Sequence, residues 1–159
     1  MKKITFIGAG SVSFTVGLVK DLATFPAFRD ATICLMDINE YRLGKITECV
    51  ERIKREMEVD FTIESTLSRE EALTGADAVI VTVFNGDIDI WQHEIIIPKK
   101  YGVDINVGDT RSVAGIFRAL RNIPLMVDIC RDMERICPKS LQETGLVVQA
   151  LLNRLLERL

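Results

Sequence analysis

The residues with the clearest chemical potential lie near the amino terminus, where two glycines follow a short apolar run. Gly8 and Gly10 form a Gly-x-Gly turn after Lys3–Ile7, and Asp37 ends the next apolar run. Gly8 permits a tight turn, Gly10 leaves room for phosphates at the backbone, and the following helix presents free N–H groups. An acid about twenty residues past such a turn accepts hydrogen bonds from the adenosine ribose. This pattern predicts a dinucleotide site. NAD is favoured over NADP, because a 2′-phosphate would face the Asp37 carboxylate.

The motif departs from the usual glycine pattern at its third position. Ser13 stands where Gly or Ala is usual, although Ser11 and Ser13 are both small enough for close helix–strand packing. We include Ser11 with Gly8, Gly10 and Asp37 among the predicted cofactor-binding residues. The alternative is a strand–turn–helix corner that binds no ligand, and the motif leaves it open.

Alternating strand and helix patterns must position these residues. The predicted order begins with the strand Lys3–Ile7 and a helix over Ser11–Thr24 that stops before Pro26. It continues with the strand Ala31–Met36, a long amphipathic helix capped by Asn39, the strand Phe61–Glu64, a short helix opened by the capping box Ser68–Glu71, and the apolar strand Asp77–Phe84. This alternation predicts an α/β fold, a Rossmann-type doubly wound parallel sheet.

In that topology the first and fourth strands are neighbours, and ligands bind at their carboxyl ends. Asn85 follows the fourth strand, so we predict that it lines the cofactor site. An ordinary Asn-Gly turn is the alternative.

The rest of the chain reads as mostly helical. Ile90–Tyr101 has a helical pattern that we expect to break near Pro98, and a short extended piece is predicted at Val103–Val107. A small-residue loop, Gly108–Gly115, then precedes a long helical stretch that reaches Ile136. Within that stretch Pro124 is expected to kink the helix or to start a new one.

Composition narrows the class of protein. The 159 residues carry a net charge of −3, so the chain lacks the excess of basic residues that is typical of nucleic-acid-binding proteins. No apolar run reaches membrane-spanning length. We therefore expect a cytoplasmic protein with neither a nucleic-acid nor a membrane partner. The four cysteines form no Cys-x-x-Cys pair, so free buried thiols are predicted. A metal role for Cys137 with His93, the single histidine, is disfavoured.

Several blocks taken together resemble glycoside hydrolase family 4, the NAD- and metal-dependent α-glucosidases, α-galactosidases and relatives. The resemblance covers about residues 1–139. The most distinctive block is Gly-Ile-Phe-Arg-Ala-Leu-Arg-Asn-Ile-Pro at Gly115–Pro124, and the others are Lys3–Ser11, Leu35–Asn39, Gly75–Ile80, Gly108–Thr110, Asp128–Glu134 and Cys137-Pro138.

The resemblance implies hydrolysis of a small-molecule sugar glycoside by redox-assisted elimination. NAD⁺ takes hydride from C3 of the sugar, a base removes the acidified C2 proton, and a divalent metal, often manganese, holds the sugar hydroxyls. It further implies that Asp109 supplies an acid near the leaving group, and that Arg118 and Arg121 contact the sugar. Composition alone also allows Asp109 to cap the next helix, and the arginines to pair with acids of the fold.

The sequence departs from the family pattern in two places. Arg111–Gly115 replaces the usual Gly-Pro-Gly-Gly, and the motifs that carry the metal ligands and the catalytic tyrosine are not found after Pro138. We therefore assign no metal ligands. We read Ser140–Glu143 as a capping box that opens an amphipathic helical tail over residues 140–159, after a truncated NAD-binding domain over residues 1–139. Such a tail could cover a sheet edge or pair with another copy, and we expect a homo-oligomer.

Three functions remain open from the sequence. The first is the cofactor-binding portion of a family 4 α-glycosidase, inactive alone. The second is a non-catalytic NAD-binding or dimerisation module. The third is a fragment of a malate- or lactate-dehydrogenase-like oxidoreductase, against which the block containing Arg118 and Arg121 argues.

Overall fold

The structure is a computed structural model, and it describes residues 2–86, 88–105 and 112–144. The chain divides into two compact units, which are described separately below. Unit 1 comprises Met1–Val83 and Asp132–Gly145, and unit 2 comprises Phe84–Arg131 and Leu146–Leu159.

Unit 1 is built on a five-stranded parallel sheet. Its strands are β1 (Lys3–Ile7), β2 (Thr32–Met36), β3 (Thr62–Thr66), β4 (Ala78–Val81) and β5 (Leu141–Thr144), in the order β3-β2-β1-β4-β5. All four neighbouring pairs are parallel. This is the strand order of the dinucleotide-binding fold. The predicted α/β Rossmann-type sheet and the pairing of the first strand with the fourth are confirmed.

The first three helices begin and end close to where the sequence predicts. They are α1 (Val12–Thr24), α2 (Glu40–Glu56) and α3 (Arg69–Leu73). Asn39 caps α2, since its side-chain oxygen accepts from the N–H of Arg42 at 3.0 Å. Ser68 caps α3 by accepting from the N–H of Glu71 at 3.3 Å. The Glu71 carboxylate does not close the predicted reciprocal box, because it accepts the hydroxyl hydrogen of Thr66 instead.

The core of unit 1 lies between the sheet and the helices α1 and α2. Its centre is apolar and excludes solvent, as in other α/β domains. Fully buried members include Phe6, Val19, Ile33, Leu35, Ile46, Val50 and Phe61. The inward face of α2 contributes Leu43, Ile46, Val50 and Ile53, the three- and four-residue spacing that the sequence shows.

Besides β3, which ends at Thr66 instead of Glu64, four features differ from the predictions. β4 ends at Val81 instead of Phe84. The helix α4 runs over Ile88–Lys100 with Pro98 inside it, so no break occurs there. In α5 (Val113–Ile136), Pro124 lies within one continuous helix and starts no new one. Residues 103–105 form no strand, and the other two residues of the predicted extended piece lie outside the described residues.

The predicted helical tail is corrected at its start. Leu141–Thr144 form β5, which pairs in parallel with Ala78–Val81 of β4, so the supposed capping box at Ser140–Glu143 opens no helix. The helical interpretation was wrong because a Ser-x-x-Glu pattern does not distinguish a cap from a strand, whereas the neighbouring edge of β4 offers backbone hydrogen bonds to an extended segment. Residues 145–159 lie outside the described residues, and the division at 139/140 stays a prediction.

Within the described ranges, none of the helices combines the length and apolar character that crossing a bilayer requires.

Candidate functional site

The predicted glycine turn follows β1 and is fixed by internal hydrogen bonds. The N–H groups of Gly8 and Ala9 both donate to the carbonyl of Met36, each at 2.9 Å. Gly8 has a φ of +85°, a left-handed conformation that glycine adopts without strain. These bonds connect the turn to the end of β2, so the turn and the strand carrying Asp37 are held together.

Thr15 and Thr82 fix the turn from two further sides. The Thr15 hydroxyl, fully buried, donates to the carbonyl of Ala9 at 2.8 Å. The Thr82 hydroxyl donates to the carbonyl of Gly8 at 2.9 Å. Our sequence analysis missed both threonines. The available signal was weak, because a threonine in a helix or strand is more often a packing residue than a support for a loop.

The N-terminus of α1 is open. Ser11 occupies the N-cap position, but its side chain makes no capping hydrogen bond, and the first turn of α1 contains no acid. Asn39 and Ser68 do cap α2 and α3 with their side chains. The leading N–H groups of a helix have no intrahelical partner, and the helix dipole favours an anion beside them. The end of α1 is therefore suited to bind phosphate.

Asp37 lies at the tip of β2 with its carboxylate directed at this turn. One oxygen accepts from the N–H of Gly10 at 2.8 Å, and the other accepts from the N–H of Asn39 at 2.9 Å. The residue is only 9% exposed. A carboxylate oxygen has two lone pairs, so each oxygen keeps acceptor capacity for a ligand hydroxyl. Asp37 thus lies beside the glycine turn, and its contact with a ribose stays a prediction.

The structure gives a packing reason for a glycine at position 10. A Cβ atom added there would lie 2.7 Å from Oδ2 of Asp37 and 2.9 Å from Cβ of Arg42. Both distances are shorter than van der Waals contact. The space in the direction of an added Cβ is taken by Asp37 and Arg42, while the predicted room for a ligand at the backbone of Gly10 is not tested. Gly10 is therefore required by the protein's own close packing at the turn.

Unit 2 brings the two predicted arginines together on one buried acid. Glu94 of α4 is 2% exposed, and its Oε2 accepts from Nε and Nη2 of Arg118 at 3.2 and 3.0 Å. Its other oxygen accepts from Arg121. The Arg118 guanidinium also lies 5.4 Å from the ring centroid of Trp91 and 5.7 Å from that of Phe84. These are cation–π distances. The acid-pairing alternative is therefore observed, while sugar contact by Arg118 and Arg121 stays a prediction.

Asn85 belongs to the same cluster of unit 2. Its side-chain amide donates to the carbonyl of Arg121 at 2.9 Å, and its carbonyl accepts from Nε of Arg121 at 3.1 Å. Its N–H donates to Oδ1 of Asn122, a residue 5% exposed. The cofactor role predicted for Asn85 is not tested by these contacts. Our sequence analysis missed Glu94 and Asn122, although two arginines on one helix indicate that a carboxylate is nearby.

The cysteines have no observed ligand role. Cys34 and Cys137 are buried free thiols. Burial raises the pKa of the Cys34 thiol, which keeps it protonated and unreactive. Within residues 2–86, 88–105 and 112–144, no three His, Cys, Asp or Glu side chains lie close enough together to hold a metal ion. Asp109, the predicted catalytic acid, lies outside the described residues.

Comparisons with known proteins identify the family. The model of the family described as "Family 4 glycosyl hydrolase" matches residues 3–142. An alpha-galactosidase of Rhizobium meliloti (strain 1021) is 39% identical over 134 residues, which are 84% of this chain and 27% of that protein. An alpha-glucosidase of Erwinia rhapontici is 34% identical over 139 residues, 87% of this chain and 31% of that protein.

Among solved structures, a 6-phospho-beta glucosidase from Thermotoga maritima, with NAD and glucose-6-phosphate, superposes with a TM-score of 0.77 at 25% identity. The match covers 90% of this chain and 34% of that one. The chain thus spans less than a third of the length of the two curated relatives it matches. The family match extends over most of the strands and helices described above. This chain belongs to the family 4 glycosyl hydrolases.

Proposed function

We propose that this chain binds NAD at the turn formed by Gly8, Gly10 and Ser11. The observation that carries the proposal is the open N-terminus of α1 directly after that turn, since it offers unpaired N–H groups to a diphosphate. Asp37, held at the tip of β2, would accept from the adenosine ribose hydroxyls. Ile38, the next residue, is 89% exposed and offers an apolar surface for the adenine ring.

We propose further that the chain is the cofactor-binding part of a glycosidase that acts on an α-glucoside or α-galactoside. Family membership and the names of the two curated relatives support this reaction class. When bound, NAD⁺ supplies a hydride acceptor for the sugar. Arg118 and Arg121 are proposed to contact the sugar, Asn85 to line the cofactor site, and Asp109 to act as the acid near the leaving group. A divalent metal, manganese, is proposed for full-length members of the family only, and no ligands for it are assigned in this chain.

Replacement of Asp37 by Ala tests the NAD site. Without the carboxylate, the ribose hydroxyls lose a charged acceptor, so we expect the affinity for NAD⁺ to fall by about tenfold or more. Titration calorimetry on the full chain measures this. The matched control is Asp60→Ala, which removes an exposed acid from the loop before β3. Unchanged binding by the Asp37 variant would contradict the proposed site, and absence of binding by the wild-type chain would contradict the function.

The second candidate function is a non-catalytic NAD-binding module, favoured by the pairing of Arg118 and Arg121, the proposed sugar contacts, with Glu94. A nitrophenyl α-glucoside or α-galactoside, incubated with NAD⁺, Mn²⁺ and reductant, distinguishes the two. We expect NAD⁺ binding without measurable hydrolysis by the 159-residue chain. Robust turnover would show that the chain is catalytically sufficient. A full-length family member, assayed in parallel, shows that the assay works.

The proposed homo-oligomer is a separate question. Its solution mass, measured by light scattering after gel filtration, decides it, and a monomer at micromolar concentration would contradict the prediction. The dehydrogenase-fragment alternative is disfavoured by the family match.

A further inference from the structure

We propose that Arg42 gives the dinucleotide site tolerance for a 2′-phosphate, so that the chain binds NADP as well as NAD. This inference rests on the proposed NAD site and goes beyond it, because Asp37 alone predicts only that NAD is favoured over NADP. Three observations support it: Arg42 lies beside the glycine turn, its guanidinium has no partner among the described residues, and two backbone N–H groups offset part of the charge of Asp37.

Arg42 lies in the first turn of α2 and packs against the proposed site. Its Cβ atom is 2.9 Å from the position that a Gly10 Cβ would occupy, and Oδ2 of Asp37 is 2.7 Å from the same position. The stem of Arg42 and the carboxylate of Asp37 therefore flank one small volume. An arginine side chain extends well beyond its Cβ atom, so its guanidinium is long enough to reach the space just outside Asp37, where the adenosine ribose would lie.

The guanidinium of Arg42 is available to a ligand. Although its stem begins beside Asp37, the two side chains form no ion pair, and Arg42 is exposed. Within the described part of the chain, its backbone N–H bonds to Asn39 and its guanidinium has no hydrogen-bond or ion-pair partner. An unpaired guanidinium presents a donor fork that matches phosphate oxygens.

Asp37 repels a phosphate less strongly than an isolated carboxylate would. Each of its oxygens already accepts a backbone N–H, from Gly10 and from Asn39. Those dipoles offset part of its charge, and the N-terminal end of α2 adds positive potential beside it. The carboxylate of Glu40, in the first turn of α2, adds negative potential and so disfavours a phosphate. NAD therefore remains the preferred ligand, and Arg42 reduces the penalty for a 2′-phosphate.

Replacement of Arg42 by Ala tests the proposal through the ratio of the two affinities. NAD⁺ and NADP⁺ are titrated separately into the full wild-type chain and the variant. We expect wild-type NADP⁺ binding within about 100-fold of NAD⁺. Loss of the guanidinium should weaken NADP⁺ about tenfold or more and NAD⁺ by less than about threefold. Arg42→Lys should restore part of the NADP⁺ affinity, since it keeps the charge and loses the fork.

Arg52→Ala is the matched control, because Arg52 is an exposed arginine further along α2 that pairs with Glu56 at 3.5 Å. It removes the same charge from the same helix, and both affinities should stay unchanged. Wild-type binding of NAD⁺ without NADP⁺, or an equal loss of both ligands in the Arg42 variant, would overturn this inference and leave the NAD site standing. Binding of neither ligand by the wild-type chain would overturn the NAD site itself.

Discussion

Replacement of Gly8 by Ala should lower the free energy of unfolding by about 2–4 kcal/mol and abolish NAD binding. Two costs add at this position. An alanine would have to adopt a φ near +85°, a conformation that L-residues rarely adopt. Its Cβ atom would also lie 3.0 Å from the carbonyl carbon and oxygen of Thr82 and 2.9 Å from Cγ1 of Val83. Side-chain rotation can relieve the second contact, but the backbone of Thr82 continues β4 and cannot move independently.

The effect on binding follows from the same geometry. Any shift of residue 8 disturbs the paired N–H bonds to Met36 and moves the start of α1, where the diphosphate would bind. Equilibrium unfolding in urea measures the stability, and calorimetry with NAD⁺ measures the binding. For a chain of this size, a loss of this magnitude lowers the melting temperature by roughly 5–15 °C.

Gly17→Ala is the matched control for Gly8→Ala. Gly17 lies inside α1, and a Cβ atom added there meets nothing within 4 Å. Alanine favours the helix over the unfolded chain, so this variant should gain about 0.5–1 kcal/mol of stability. The same substitution therefore has opposite signs at two glycines nine residues apart. Equal effects at both positions would contradict the interpretation that backbone conformation and contact with Thr82 require Gly8.

The first four strands of the unit 1 sheet were predictable because each of them carries its own local signal, whereas β5 was not predicted. β1 and β2 are rich in β-branched and apolar residues, and each is followed by a turn and then by a helix. Parallel strands buried on both faces have few alternatives to such patterns. The caps at Asn39 and Ser68 were predictable for the same reason, since a cap is decided by residues within one turn.

The errors arose where neighbouring structure overrides a local signal. Leu141–Thr144 has the residues of a helix start, yet it pairs with β4, a partner some sixty residues earlier in the chain. Pro98 and Pro124 lie within helices, although proline usually ends one. At positions 124–126 the helix is held by packing, since Met126 and Ile129 are buried. Local propensity is a weak predictor where tertiary contacts are this extensive.

The candidate site shows the same division between local and distant signals. Gly8, Gly10 and Asp37 were found from spacing, because the dinucleotide motif is a local sequence pattern. The support by Thr15 and Thr82, and the packing of Arg42 against Gly10, depend on side-chain directions that spacing does not fix. The acid that binds Arg118 and Arg121 lies in another helix, and nothing in the sequence distinguishes Glu94 from the exposed acids.

Replacement of Glu94 by Gln should have the second large effect, a loss of about 3–5 kcal/mol of stability. Glu94 is 2% exposed and accepts from both Arg118 and Arg121, of which Arg118 has a side chain only 7% exposed. Glutamine keeps the shape but removes the charge, and its amide N–H₂ would face guanidinium donors. The buried positive charge of Arg118 would then lose this carboxylate in surroundings that water does not reach, which is costlier than the loss of an exposed pair.

Glu48→Gln isolates burial as the cause. Glu48 pairs with Lys45 at 3.1 Å on the outer face of α2, where the two side chains are 69% and 53% exposed. Exposed pairs contribute little, so this variant should lose no more than about 0.5 kcal/mol. Both variants make the same chemical change in a helix, and urea unfolding compares them directly. A small loss at Glu94, similar to that at Glu48, would show that solvent reaches the cluster. The pairs with Glu94 would then contribute little to holding α4 and α5 together, and sugar contact by the two arginines would disturb the fold less.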